Sequence, residues 1–127
     1  MNRIVTVTID KKDYPLLFSI LAMEEIYDVY GSLEDMITIV FSSKNIAKQL
    51  KEVLKIIWIL NKAAVAYYKA KKQETENINL DELITSINPY DAINLNLWET
   101  ALETINKGSS QTVEVASNSK NAEATQG

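Results

Sequence analysis

The chain has no histidine and no cysteine, which removes the commonest general base and the commonest metal ligand together. A serine or cysteine nucleophile activated by histidine cannot be built, nor can a disulfide or a thiolate metal site. Carboxylate pairs, reactive lysines and phosphate-binding loops remain. Glu24-Glu25 and Asp81-Glu82 are adjacent carboxylates that could be proposed as catalytic. Neighbours on a helix point about 100° apart, so neither pair converges on a substrate, and helix capping and solvation account for them. Gly31 and Gly108 read as helix stops, and no glycine-rich phosphate loop is present. These residues point to a chain that acts by binding other proteins rather than by catalysis, with no catalytic residues, no metal and no cofactor.

Lysines and aromatics are the candidate binding residues. Eight lysines and one acid, Glu52, lie between positions 44 and 72, whereas seven acids and no basic residue lie between 74 and 103. Lys48, Lys55, Lys62 and Lys69 recur every seven residues and so form one stripe on a helix. That stripe reads either as a solvated face balanced by the acidic C-terminal helices or as a docking face for an acidic partner. Nucleic acid fits poorly, because the net charge is −4 and Arg3 is the only arginine. Trp58 and Trp98 sit in apolar helical segments, where burial is the default; one of them could instead anchor a partner. Tyr67-Tyr68 is the better interface candidate, since adjacent helical rings do not easily face one core.

The elements that position these residues follow from periodicity. Residues 4–9 alternate as a strand, with Val5, Val7 and Ile9 on one face. Residues 10–13 read as a polar turn and 14–17 as a returning strand, with Pro15 at an edge. A hairpin this small must pack on helices. From residue 18 the period is helical, with Leu17, Ile20, Leu21, Ile26 and Tyr30 sharing a broad face up to the stop at Gly31. Ser32 caps a second helix carrying Leu33, Met36, Ile37 and Val40, with Asp35 completing a capping-box variant. A long third helix is expected over 44–73 with Ser43 as its cap, a rod of roughly 45 Å. Asn79 caps a short helix over 80–87. Asn88-Pro89 opens a last helix to 107 that carries Ile93, Leu97, Ala101 and Ile105 in line, with Gly108 as its stop. Residues 109–127 are polar and low in aromatics, which predicts a disordered tail.

At 127 residues and 46% apolar content the chain can build one core. Few glycines and prolines suit helices. The fold class expected is mainly α: a domain over 1–107, with an N-terminal β-hairpin on a bundle of about five helices around one long central helix, and a tail over 108–127. No secretory signal is visible, and the apolar run 56–60, flanked by Lys55 and Lys62, is too short for a bilayer that needs about 20 residues. A soluble, cytoplasmic protein without a membrane partner is the expectation. The hairpin edge leaves room for a homo-oligomer.

The order of elements carries one further signal. A hairpin ends in Tyr14-Pro15-Leu16-Leu17-Phe18-Ser19, and an acidic helix closes with Tyr27-Asp28-Val29-Tyr30-Gly31-Ser32-Leu33-Glu34-Asp35. A long helix with a central Trp58, a Leu80-Asp81-Glu82-Leu83 helix, a final helix and a polar tail follow. Over residues 4–107 this resembles the tail assembly chaperones of long-tailed phages and prophages of Gram-positive bacteria. The resemblance implies a protein that escorts the tape-measure protein, a long helical chain, and helps recruit tail-tube subunits. It also implies residence in the host cytoplasm, absence from the mature virion, and a longer form made by translational frameshift near Ser119-Lys120-Asn121. A small structural or regulatory phage adaptor protein is the alternative. The family supplies no fixed binding residues to carry over.

Overall fold

The computed structural model describes residues 3–109. Among the described residues the protein is mainly helical, 67%, with an N-terminal antiparallel hairpin and six helices. The expected tail over 108–127 lies outside the described residues except for Gly108 and Ser109, which belong to the last helix.

Strand β1 is Val5–Ile9 and strand β2 is Lys12–Leu16. They pair antiparallel from Val5 opposite Leu16 to Ile9 opposite Lys12. Val5, Val7 and Ile9 are buried while Thr6 and Thr8 face solvent, as alternation requires. The turn is shorter than the polar 10–13 stretch suggested. Asp10 and Lys11 both take positive φ, 53° and 66°, which is the two-residue turn whose twist matches the strands. Lys12 and Asp13 are thereby freed for β2, and the Thr8 hydroxyl donates to Asp13 Oδ1 at 2.6 Å across the pair.

Helix α1, Ile20–Tyr30, buries Ala22, Ile26 and Tyr30. It ends at Gly31, whose φ of 97° suits glycine and whose N–H returns to Tyr27 O at 2.9 Å. The broad face expected on this helix is corrected: Ile20 and Leu21 are 84% and 55% exposed. Ala22, Ile26 and Tyr30, spaced by four, are the face that meets the core. Helix α2, Leu33–Ser42, starts as expected, with Ser32 Oγ accepting from Asp35 N at 2.9 Å. Met36 and Val40 are buried, whereas Ile37 is exposed.

Helix α3, Ile46–Ala70, is the organising element, 25 residues and about 37 Å long. It is shorter than expected at both ends. The cap is Asn45, not Ser43: Asn45 Oδ1 accepts from Ala47 N and Lys48 N at 2.9 and 3.2 Å. Ser43 is drawn into the preceding turn, where its hydroxyl accepts from Asn45 N. At the other end Lys72 turns to φ 61°, and Gln73 N closes on Tyr68 O at 2.9 Å. The middle of α3, Val53 to Ala64, carries the buried residues of the helix.

Short helix α4, Leu80–Ser86, is capped by Asn79, and α5, Pro89–Asn94, by Asn88 with Pro89 in its first turn. The single last helix expected from residue 89 is broken. Asn96 adopts φ 52°, a conformation asparagine tolerates, and α6, Leu97–Ser109, starts after this break. The break turns Leu97, Ala101 and Ile105 into the core and leaves Ile93 45% exposed, so the four are not one buried line. Gly108 does not stop α6. It lies within the helix where a Cβ would come 2.5 Å from Phe18 O and 2.6 Å from Phe18 Cβ, so it permits close packing instead.

Candidate protein-binding surface

A single polar side chain organises the centre. Asn61 is fully buried in the most apolar part of α3. Its amide donates to Pro15 O at 2.9 Å and to Glu76 O at 3.1 Å, and its Oδ1 accepts from Ile78 N at 2.8 Å. Leu17 N also donates to Leu60 O at 3.1 Å. Together these bonds seat the chain at the end of β2, and the segment before α4, on one turn of α3. They satisfy backbone groups that burial would otherwise leave orphaned.

Helix α1 is held to α3 along two edges. The Tyr30 hydroxyl donates to Glu52 Oε1 at 2.7 Å, and Lys62 Nζ pairs with Glu25 Oε2 at 2.7 Å. Burial, the Glu52 hydrogen bond and the nearby negative charge push the Tyr30 phenol well above its ordinary range.

The lysine stripe does not form one free face. Lys62 is engaged by Glu25 and also lies 3.6 Å from the centre of the Trp58 ring. Lys55 is half-buried, its ammonium 5.8 Å from the centre of the Tyr30 ring. Lys48 and Lys69 are exposed at opposite ends of α3. Among the described residues the stripe makes one salt bridge, from Lys62 to Glu25 of α1, and none to the acidic C-terminal helices.

Trp58 and Trp98 are both half-buried, neither fully core nor free. Trp98 meets Phe41 edge to face at 5.2 Å. Tyr67 and Tyr68 touch each other at 5.3 Å in a T-shaped contact, and Lys71 stands 4.8 Å from the Tyr67 ring. The aromatic and lysine candidates are thus spread along α3, with Trp98 on α6, and do not converge on one site.

The surface that sequence reasoning missed lies on α1 and α2. Ile20, Leu21, Met23 and Tyr27 on α1, and Ile37, Ile39 and Phe41 on α2, are all at least 40% exposed. The signal was present: Ile20, Met23 and Tyr27 recur at helical spacing beside the buried Ala22-Ile26-Tyr30 stripe, giving α1 two apolar sides. Among the described residues no cluster of three or more His, Cys, Asp or Glu could hold a metal, and no helix is long and apolar enough to cross a membrane. Compared with known proteins, the chain matches no family model, no curated protein and no solved structure.

Proposed function

We propose that this protein is a phage tail assembly chaperone that binds the tape-measure protein through its helical body and helps recruit tail-tube subunits. The observation that carries the reading is the set of apolar side chains that α1 and α2 leave exposed, headed by Ile20 at 84%, Leu21 at 55% and Phe41 at 52% exposure. Apolar side chains left exposed on two neighbouring helices are surface that a partner protein can cover. A tape-measure chain is helical and long, and its own apolar stripes need cover until tube subunits arrive. The hairpin, the acidic helix and the long helix follow one another in the order that the resemblance requires.

The test is co-expression of the tagged chain with the tape-measure and tail-tube proteins of its own phage, with mass spectrometry of the captured proteins and of purified particles. Recovery of both partners, with the chain missing from particles, is the expected result. Failure to recover either partner overturns the reading. Persistence of the chain in particles at fixed stoichiometry overturns it in favour of a structural component.

A further inference from the structure

The groove between α1 and α3 has a chemistry that the exposed apolar patch alone does not specify. Ile59 and Ala63 of α3 form its floor, and Leu21 and Val29 of α1 line its wall. Its volume is about 570 Å³. Above this apolar lining stand Glu24, Glu25 and Asp28. Among the described residues Lys62 is the one cation in the lining, and its ammonium is already held by Glu25 at 2.7 Å and by the Trp58 ring. Glu24 and Asp28 are exposed and make no ion pair among the described residues. The bias extends beyond the groove: residues 13–43 contain six acids and no lysine or arginine.

We infer that this groove receives an amphipathic partner helix that carries lysine or arginine beside its apolar stripe. Two parallel requirements select that occupant. The floor and wall are aliphatic, so the inserted side chains must be apolar to gain from leaving water. The rim presents unpaired carboxylates beside a low-dielectric wall, so cationic flanks are attracted and anionic flanks repelled. A helix laid along two helices meets both conditions with residues three and four apart. The inference rests on the functional reading above in taking the partner to be a helix.

The probe is a fluorescein-labelled leucine/lysine amphipathic helix of about 18 residues, or five turns, compared with a counterpart in which every lysine is glutamate. Fluorescence anisotropy is measured with the full chain, with Glu24→Lys/Asp28→Lys, and with Leu21→Ser/Val29→Ser. All four altered residues are exposed, and unchanged thermal melting establishes that each variant folds. The lysine probe binds the full chain, and each double variant weakens it tenfold or more. Raising salt from roughly 50 to 500 mM weakens binding to the full chain more than to the charge-reversed variant. The glutamate probe does not bind. Equal binding of the two probes, or full-strength binding by Glu24→Lys/Asp28→Lys, overturns the inference. So does sedimentation showing that a second copy fills the groove, with self-association lost in that variant. The two readings fail separately. Lysine-probe binding without tape-measure capture leaves the groove standing and removes the chaperone function. Tape-measure capture that is undiminished in both double variants removes the groove and leaves the function.

Discussion

Replacing Asn61 with alanine is the most informative perturbation of the fold. The substitution deletes three hydrogen bonds at once, to Pro15 O, Glu76 O and Ile78 N. The bonds to Pro15 and Ile78 are buried, so water cannot restore them, whereas the Glu76 carbonyl is partly accessible. Orphaning two buried backbone groups and losing a third, wetter bond costs about 3–5 kcal/mol in total. At about 4–5 °C per kcal/mol for a body of this size, the midpoint falls by roughly 12–25 °C. Urea unfolding followed by tryptophan fluorescence gives the free energy, and hydrogen exchange at the Ile78 amide reports the local bond. Asn106→Ala, an exposed asparagine on α6, is the control and changes stability by less than about 0.5 kcal/mol. A loss below about 1 kcal/mol for Asn61→Ala, with Ile78 still protected, would refute the reasoning that this side chain holds three segments together.

Gly108→Ala destabilises by about 1–3 kcal/mol despite alanine's higher helix propensity, because its Cβ collides with Phe18; a gain in thermal midpoint would show that Phe18 yields. Tyr30→Phe costs about 1 kcal/mol by freeing Glu52, measured by urea unfolding. The Tyr30 phenol is raised in the folded state, so its stabilising contribution is complete below about pH 10, where unfolded tyrosine ionises. That contribution fades as pH climbs from there towards the raised folded value, and a denaturation series against pH shows the decline steeper in the native chain than in Tyr30→Phe. Trp58→Ala costs about 1–3 kcal/mol, less than a fully buried tryptophan, since the ring is half-buried under Lys62; unchanged chemical stability with lost partner binding would make it an anchor.

Much of the fold was legible because local rules act within a few residues. The Val5-Val7-Ile9 alternation, the caps Ser32, Asn79 and Asn88, and the stop at Gly31 each appear where the sequence places them. What failed depended on distant neighbours. Ser43 and Asn45 are both good caps, and only the path of the preceding turn selects Asn45. Asn96 breaks the last helix because α6 must re-aim Leu97 and Ala101 at α3, a demand no local window contains. Gly108 serves Phe18, ninety positions earlier in the chain. The candidate surface was the least legible part. An α1 helix apolar on two sides does not declare which side α3 will cover, so Ile20 and Leu21 read as inward from the sequence although they face outward. The even spacing of Lys48, Lys55, Lys62 and Lys69 likewise conceals that α1 claims the middle two.

The bonds that converge on Asn61 also set an order of events during synthesis. The hairpin leaves the ribosome before the helices it packs on, yet two strands alone are barely stable in water. Its apolar end, Leu16, Leu17 and Phe18, stays uncovered until α3 follows, and the carbonyl of Pro15 waits for a side chain 46 positions later. At about 5–20 residues per second, that interval lasts roughly 2–10 s. Ile78 must then appear before the node closes. The nascent chain therefore passes through a window in which its own hairpin is sticky, and strand substitutions that raise its β-propensity would lower soluble yield even where the finished protein is no less stable.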